Sequence, residues 1–209
     1  QGQPALVMKR IEGLSWRELL HDEAHPAWKR VAGARDRLEA HLEILIQVCN
    51  AIAHAHLRGV IHRDLKPANV MVGELGEVYV ADWGVAIQKA LVRPGPPRLV
   101  GTPAYLAPEM VTGDAAMTDE RTDVYLLGAT LYEVLTHHPV HLGVGLKEVL
   151  EKAWRAVPPV LPKEVPAELG QLCLKALAAN PAARFQSVLE LRDALQTFLE
   201  HRGSARLAA

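Results

Sequence analysis

Val60-Ile61-His62-Arg63-Asp64-Leu65-Lys66-Pro67-Ala68-Asn69-Val70-Met71 sets an acid, two bases and an amide between apolar ends, with Pro67 fixing the turn. Asp64 can accept a proton from a hydroxyl. Lys66 can neutralise charge on a phosphoryl group in transit. The side-chain oxygen of Asn69 suits a hard cation such as Mg2+. Asn69 lies five positions after Asp64, so the loop must fold back to bring both to one centre. Val78-Tyr79-Val80-Ala81-Asp82-Trp83-Gly84 follows, a short β-rich run ending in an acid and a glycine. Asp82 is a natural partner for Asn69 on a metal.

The run His62–Asn69 resembles the catalytic loop of the eukaryotic-like protein kinases, including the bacterial Ser/Thr kinases. Asp82-Trp83-Gly84 resembles their metal-binding D-F-G, with Trp in place of Phe, and Gly101-Thr102-Pro103-Ala104-Tyr105-Leu106-Ala107-Pro108-Glu109 resembles the end of their activation segment. The likeness runs from about Pro4 to about Leu199, and three separate motifs in order make it specific. It implies a protein kinase-like fold: a mainly α-helical large lobe with a small β-hairpin. It implies ATP and Mg2+ as cofactors and a protein substrate. Asp64, Lys66, Asn69 and Thr102 are then the catalytic group, with Asn69 and Asp82 on the metal. Lys66 and the Gly101-Thr102-Pro103 run favour Ser/Thr over Tyr as acceptor.

The resemblance also places the nucleotide. Ala5-Leu6-Val7-Met8 is an apolar run that reads as a strand, the last of the small lobe, and Met8 resembles the gatekeeper. The backbone of Lys9 and Ile11 would meet the adenine edge, and Met71 would lie beneath it. Ser15 could touch the ribose, although it also reads as the N-cap of a helix over residues 16–20. The Gly-rich loop, the V-A-I-K strand and the helix with the partner Glu have no counterpart in the 209 residues. The expectation is therefore a remnant of the last small-lobe strand and hinge over 1–13, the C-terminal lobe over 14–200, a frayed tail over 201–209, and an N-terminal lobe upstream.

Composition agrees but says less. The chain of 209 residues is long enough for one substantial domain, and it is 49% hydrophobic with a formal net charge of −1. That balance argues against binding a nucleic-acid backbone. No apolar run is long enough to span a membrane. Cys49 and Cys173 sit in apolar helical patterns and read as buried free thiols, which points to a reducing, cytoplasmic setting.

Residues 21–36 are polar and without period, and read as a loop. From about Arg37 to Arg58 the apolar residues Leu38, Leu42, Leu45, Val48, Cys49, Ile52 and Ala55 recur at helical spacing, and Gly59 closes the helix. His54 and His56 on it read as packed or solvated side chains. Val70–Val72 and Val78–Val80 form a β-hairpin. Residues 85–100, the activation segment in this reading, are rich in Pro and basic residues but hold no Ser, Thr or Tyr. Arg63 marks kinases that usually need a phosphate there, so either activation works without phosphorylation or the site is degenerate.

Residues 122–135 are almost continuously apolar, as in a helix buried on every side. Asp123 at its start must be bonded to be tolerated, and the resemblance has it hold the backbone of the catalytic loop. Helices are expected over 146–157, 166–178 and from Ser187 to about Leu199. Arg184 matches the arginine that pairs with the A-P-E glutamate, here Glu109. His137-His138-x-x-His141 has metal-like spacing but lies in a Pro-containing loop without carboxylate or Cys, and reads as non-metal. A pseudokinase or scaffold that binds without turnover is the main rival to a transferase; small-molecule phosphotransferases lack the Gly101–Glu109 run.

Overall fold

A computed structural model describes residues 13–33, 35–93 and 95–207. Met8, Lys9 and Ile11, with the strand expected over Ala5–Met8, lie outside the described residues.

Helix α4, Glu120–Thr136, runs through the centre of the molecule. Asp119 starts it with a capping box completed by Thr122, which satisfies backbone donors that would otherwise be orphaned. Val124, Leu127, Ala129 and Leu131 are fully buried, as continuous apolarity predicts. Gly128 lets α6, Ala167–Ala176, approach closely: a Cβ at residue 128 would stand 2.7 Å from the Cβ of Ala176. Helix α3, Arg37–His56, packs against both α4 and α7, Val188–Leu207. Its buried stripe includes Leu42, Leu45, Cys49 and Ile52, and Asp36 caps it by accepting the backbone N–H of Glu39. Helix α5, Leu146–Arg155, is amphipathic and buries Ala153 beneath the 3₁₀ turns at Pro103–Tyr105 and Pro108–Thr112.

The expected hairpin forms. Strands β3, Val70–Val72, and β4, Val78–Val80, pair antiparallel with Met71 opposite Tyr79. A third strand, β1, Leu14–Ser15, adds to the other side of β3 and places Ser15 opposite Met71. Gly13 permits this join: its φ is +149° and a Cβ there would stand 2.3 Å from the carbonyl oxygen of Val72. A second ribbon pairs β2, Val60–Ile61, with β5, Ile87–Gln88.

The structure corrects three sequence expectations. Residues 21–36 are not wholly loop: a turn of helix, α2, spans Trp28–Val31, because Trp28 buries its ring edge-on to His41 at 4.9 Å between centroids. Helix α3 stops at His56, two residues early, and Gly59 with φ +70° turns the chain into β2. The tail expected from His201 is helical to Leu207, since Arg202 and Arg206 both pair with Asp36 and Glu39 at the start of α3.

Candidate active site

The site hangs from a buried carboxylate. Asp123, in the first turn of α4, is fully buried. Its Oδ2 accepts the backbone N–H of His62 and its Oδ1 that of Arg63, each at 2.9 Å. These bonds hold Arg63 at φ +69°, a left-handed conformation that costs a non-glycine residue energy. The chain thereby reverses direction just before Asp64. His56 meets Oδ2 from the other side at 2.8 Å.

His62 fixes the next step. Its Nδ1 accepts the backbone N–H of Asp64 at 3.2 Å, so Nε2 carries the proton and donates to the carbonyl of Ala81 at 3.1 Å. Burial holds this imidazole below its ordinary pKa, against the opposing pull of Asp123, so the neutral form is the one bonded. One ring thus ties the 62–64 loop to the residue preceding Asp82.

Asp64, Lys66, Asn69 and Thr102 come together. Asp64 Oδ1 accepts the Thr102 hydroxyl at 2.7 Å. Its Oδ2 accepts Lys66 Nζ at 2.8 Å and Asn69 Nδ2 at 3.0 Å. Asn69 Nδ2 also donates to the Asp64 carbonyl at 2.8 Å, and Lys66 Nζ reaches the Thr102 hydroxyl. The Pro67–Asn69 3₁₀ turn supplies the fold-back that the spacing demanded. With its nitrogen turned to Asp64, the amide of Asn69 keeps its oxygen for another partner.

Asp82 is placed by the hairpin. The backbone N–H of Ala81 donates to the carbonyl of Asn69 at 2.8 Å, extending the β3–β4 ladder to the residue beside Asp82. Asp82 has φ +58° and an exposed carboxylate that accepts the Gly84 N–H at 3.4 Å. Trp83 donates its indole N–H to the carbonyl of Val80 at 3.0 Å and sets its ring edge-on to His62, 4.5 Å between centroids. The exposed carboxylate of Asp82, next to the Ala81–Asn69 rung, and the amide oxygen of Asn69 are oxygen donors of the kind that suits Mg2+, which takes few protein oxygens and completes its shell with water and phosphate.

The remaining expected residues divide. Met71 is half-buried on β3 next to Ser15. Ser15 is a cap: its hydroxyl donates to Glu18 Oε2 at 2.7 Å and accepts the Glu18 N–H at 3.2 Å. The Ser15 hydroxyl and backbone N–H, both donating to Glu18 Oε2, hold the Glu18 carboxyl below the usual range. Glu109 and Arg184 pair as the resemblance implied, with Thr122 adding its hydroxyl to the Glu109 carboxylate at 2.9 Å. His141 is a buried bonding group between Tyr125 and the carbonyl of Leu106. Among the described residues no group of three or more His, Cys, Asp or Glu could hold a metal.

Two contacts escaped sequence reasoning. His56 is a partner of Asp123, and its place in the last turn of α3, just ahead of the loop, was the available signal. Tyr105 donates to the buried Glu133 at 2.6 Å, whose other oxygen meets His21 at 3.0 Å. Nothing local in sequence marks that chain of bonds.

The family model described as "Protein kinase domain" matches residues 6–199. The serine/threonine-protein kinase PknD of Chlamydia trachomatis is 35% identical over 93% of this chain, which covers 23% of that protein. PknD of Chlamydia muridarum is likewise 35% identical with the same coverage. The serine/threonine-protein kinase PknB of Mycobacterium tuberculosis is 36% identical over 90% of this chain and 29% of its own length. The chain thus spans about a quarter of the length of these curated relatives.

Proposed function

From a chain that belongs to the protein kinase family, and specifically to its bacterial-type Ser/Thr members, we propose a protein serine/threonine kinase that moves a phosphoryl group from ATP to a hydroxyl of a protein substrate. The observation that carries this reading is the closed set of bonds joining Asp64, Lys66, Asn69 and Thr102.

In this reading Asp64 orients the substrate hydroxyl and takes its proton. The Thr102 hydroxyl and Lys66 ammonium keep the Asp64 carboxylate turned into the site. Lys66 lies where it can also neutralise charge on the phosphoryl group. Asn69 and Asp82 would hold Mg2+, which when bound neutralises the phosphate oxygens. Met71 and Ser15, adjacent on β3 and β1, would line the nucleotide, with Met8, Lys9 and Ile11 beyond the described residues. Free, buried Cys49 and Cys173 support a cytoplasmic setting, and no helix among the described residues is long and apolar enough to cross a membrane.

The test is Asp64→Asn in the natural protein. Loss of transfer by about 10²-fold or more, with the fold left intact, is expected; activity kept within about threefold counts against the role. We further propose that residues 1–209 alone turn over negligibly, because they carry no Gly-rich loop or phosphate-gripping lysine strand. Calorimetry with Mg-ATP beside a transfer assay decides this, and micromolar binding with turnover would refute it. A transferase-dead result in the natural protein as well would favour the binding-module alternative.

A further inference from the structure

A cavity of about 150 Å3 opens where helix α1, Trp16–His21, meets the start of α3 and the end of α4. Its walls are apolar: Leu19 and Leu20 from α1, Trp28 from α2, Leu38 from α3 and Val134 from α4. Glu23 and Arg37 stand exposed at its mouth with His137, and the two opposite charges meet at 3.0 Å. Arg37 also lies over the Trp28 ring, 5.6 Å from its centroid. One polar group faces inward. His41 is only 6% exposed, and its Nδ1 accepts the indole N–H of Trp16 at 2.7 Å. An indole nitrogen only donates, so the neutral imidazole carries its proton on Nε2. Burial lowers the His41 pKa to about 4 and keeps the ring neutral in ordinary buffers. Nε2 has no hydrogen-bond partner among the described residues, yet none of their fully enclosed side-chain nitrogens or oxygens lacks one. The Nε2–H therefore opens onto the cavity that His41 lines.

The space selects its occupant by size and chemistry. A volume of about 150 Å3 takes a single benzene ring. Trp28, edge-on to His41 at 4.9 Å between centroids, gives an aromatic ring a neighbour to pack against. Because Glu23 and Arg37 already answer each other, a charged ligand would lose its water with no opposite charge to meet it. Water itself fits poorly: against the Nε2–H it finds one polar side chain among apolar walls, short of the roughly two to four partners that hold a buried water. We propose that the cavity binds one uncharged six-membered aromatic ring bearing a hydrogen-bond acceptor, which takes the Nε2–H of His41. None of the lining residues belongs to the set of Asp64, Lys66, Asn69 and Thr102, so the proposal stands apart from the transfer reading.

The experiment is NMR near neutral pH on the protein labelled with nitrogen-15 at histidine and tryptophan. It is titrated with pyridine, which is uncharged there, and separately with benzene, the isostere without an acceptor. Pyridine is expected to give saturable shifts of the Trp16 and Trp28 indole N–H signals and to carry the His41 Nε2 proton downfield. Benzene is expected not to move that proton downfield. Leu38→Phe, which puts a ring into the space, should weaken pyridine by at least about tenfold, the scale of forcing a group into filled volume. A melting curve verifies the fold of that variant, and Val134→Ile is a smaller filler that tests the same wall. Absence of any saturable shift with pyridine overturns the proposal. So does saturable binding that leaves the Nε2 proton unmoved, or an affinity unchanged in both variants. No transfer is measured, so a failed kinase assay leaves this result standing, and the reverse holds too.

Discussion

Arg184 donates Nη1 and Nη2 to the two carboxylate oxygens of Glu109 at 2.7 and 2.8 Å, a bidentate pair across 75 residues of sequence. The arginine is 2% exposed, lies over the ring of Tyr125 and also bonds the carbonyls of Ala178, Ala179 and Arg121. It therefore fastens the chain after α6 to the 3₁₀ turn that follows the Thr102 segment. Arg184→Ala leaves Glu109 buried with Thr122 as its remaining side-chain partner, and a loss of about 3–5 kcal/mol is expected. Urea denaturation measures it; an unchanged midpoint would remove the pair from the list of forces holding the fold.

Acid should unfold this protein early. His41 accepts the indole N–H of Trp16 on Nδ1 at 2.7 Å, and burial pushes its pKa down to about 4. Burial also lowers His62 and His141. A depressed histidine is neutral in the folded chain while the unfolded chain binds a proton near 6.5. Its contribution is therefore present above about 6.5 and is lost as pH falls, for His41 until about 4. For His41 the slope approaches roughly 1.4 kcal/mol per pH unit between those two values. Denaturation midpoints at pH 7, 6 and 5 should fall steadily, and His41→Gln should flatten the slope. A flat profile in the parent chain would contradict the neutral assignments.

Trp83 stands where phenylalanine is the family residue, and its indole makes a bond that a phenyl ring cannot. Trp83→Phe should keep the edge contact with His62 but lose the tie to Val80. Because Trp83 is 40% exposed, water can replace the lost donor, and a cost of about 1 kcal/mol or less is expected. Weaker Mg-ATP binding in the natural protein should accompany it, since the tie fixes the residue after Asp82. Identical stability and nucleotide affinity in both forms would show the tie to be idle.

Phosphatase treatment should leave transfer unchanged as far as residues 85–100 are concerned, for they contain no hydroxyl acceptor. Thr102 is the nearest one, and its oxygen is already bonded to Asp64 and Lys66. A phosphate on it would set roughly two negative charges against the Asp64 carboxylate. Phosphorylation there should therefore inactivate. Mass spectrometry of active and phosphatase-treated protein checks this, and activity lost on removing phosphate from Thr102 would reverse it.

The candidate site residues were legible because the motifs crowd them into short runs: Asp64, Lys66 and Asn69 lie on one loop, and Asp82 just after the next hairpin. The central helix was legible because burial on every side leaves no polar face, and Asp123 stood out there as an acid needing bonds. What escaped detection rests on long-range pairing. Strand β1 has two residues, too few to show alternation, and exists because Gly13 lets it meet Val72. The end of α7 contains Gly203 and Ser204, poor helix formers, and holds through ion pairs to Asp36 and Glu39 at the far end of the sequence. The place of His56 just ahead of the loop was a signal, but helical spacing alone shows a side and not a partner, so Asp123 could not be named.

Loops that carry chemistry are commonly the parts of a protein that open most readily. The 62–64 loop is built otherwise. The amides of His62 and Arg63 end on a carboxylate rooted in the innermost helix, so releasing them strands a charge in the core. In hydrogen-exchange terms, these two amides belong to the cooperative unit of α4 and should open with it. Pre-organisation of the loop is thus inherited from the stability of the core. A packing defect far from Asp64, such as a side chain forced in at Gly128, would reach the site as lost geometry without touching any residue in it.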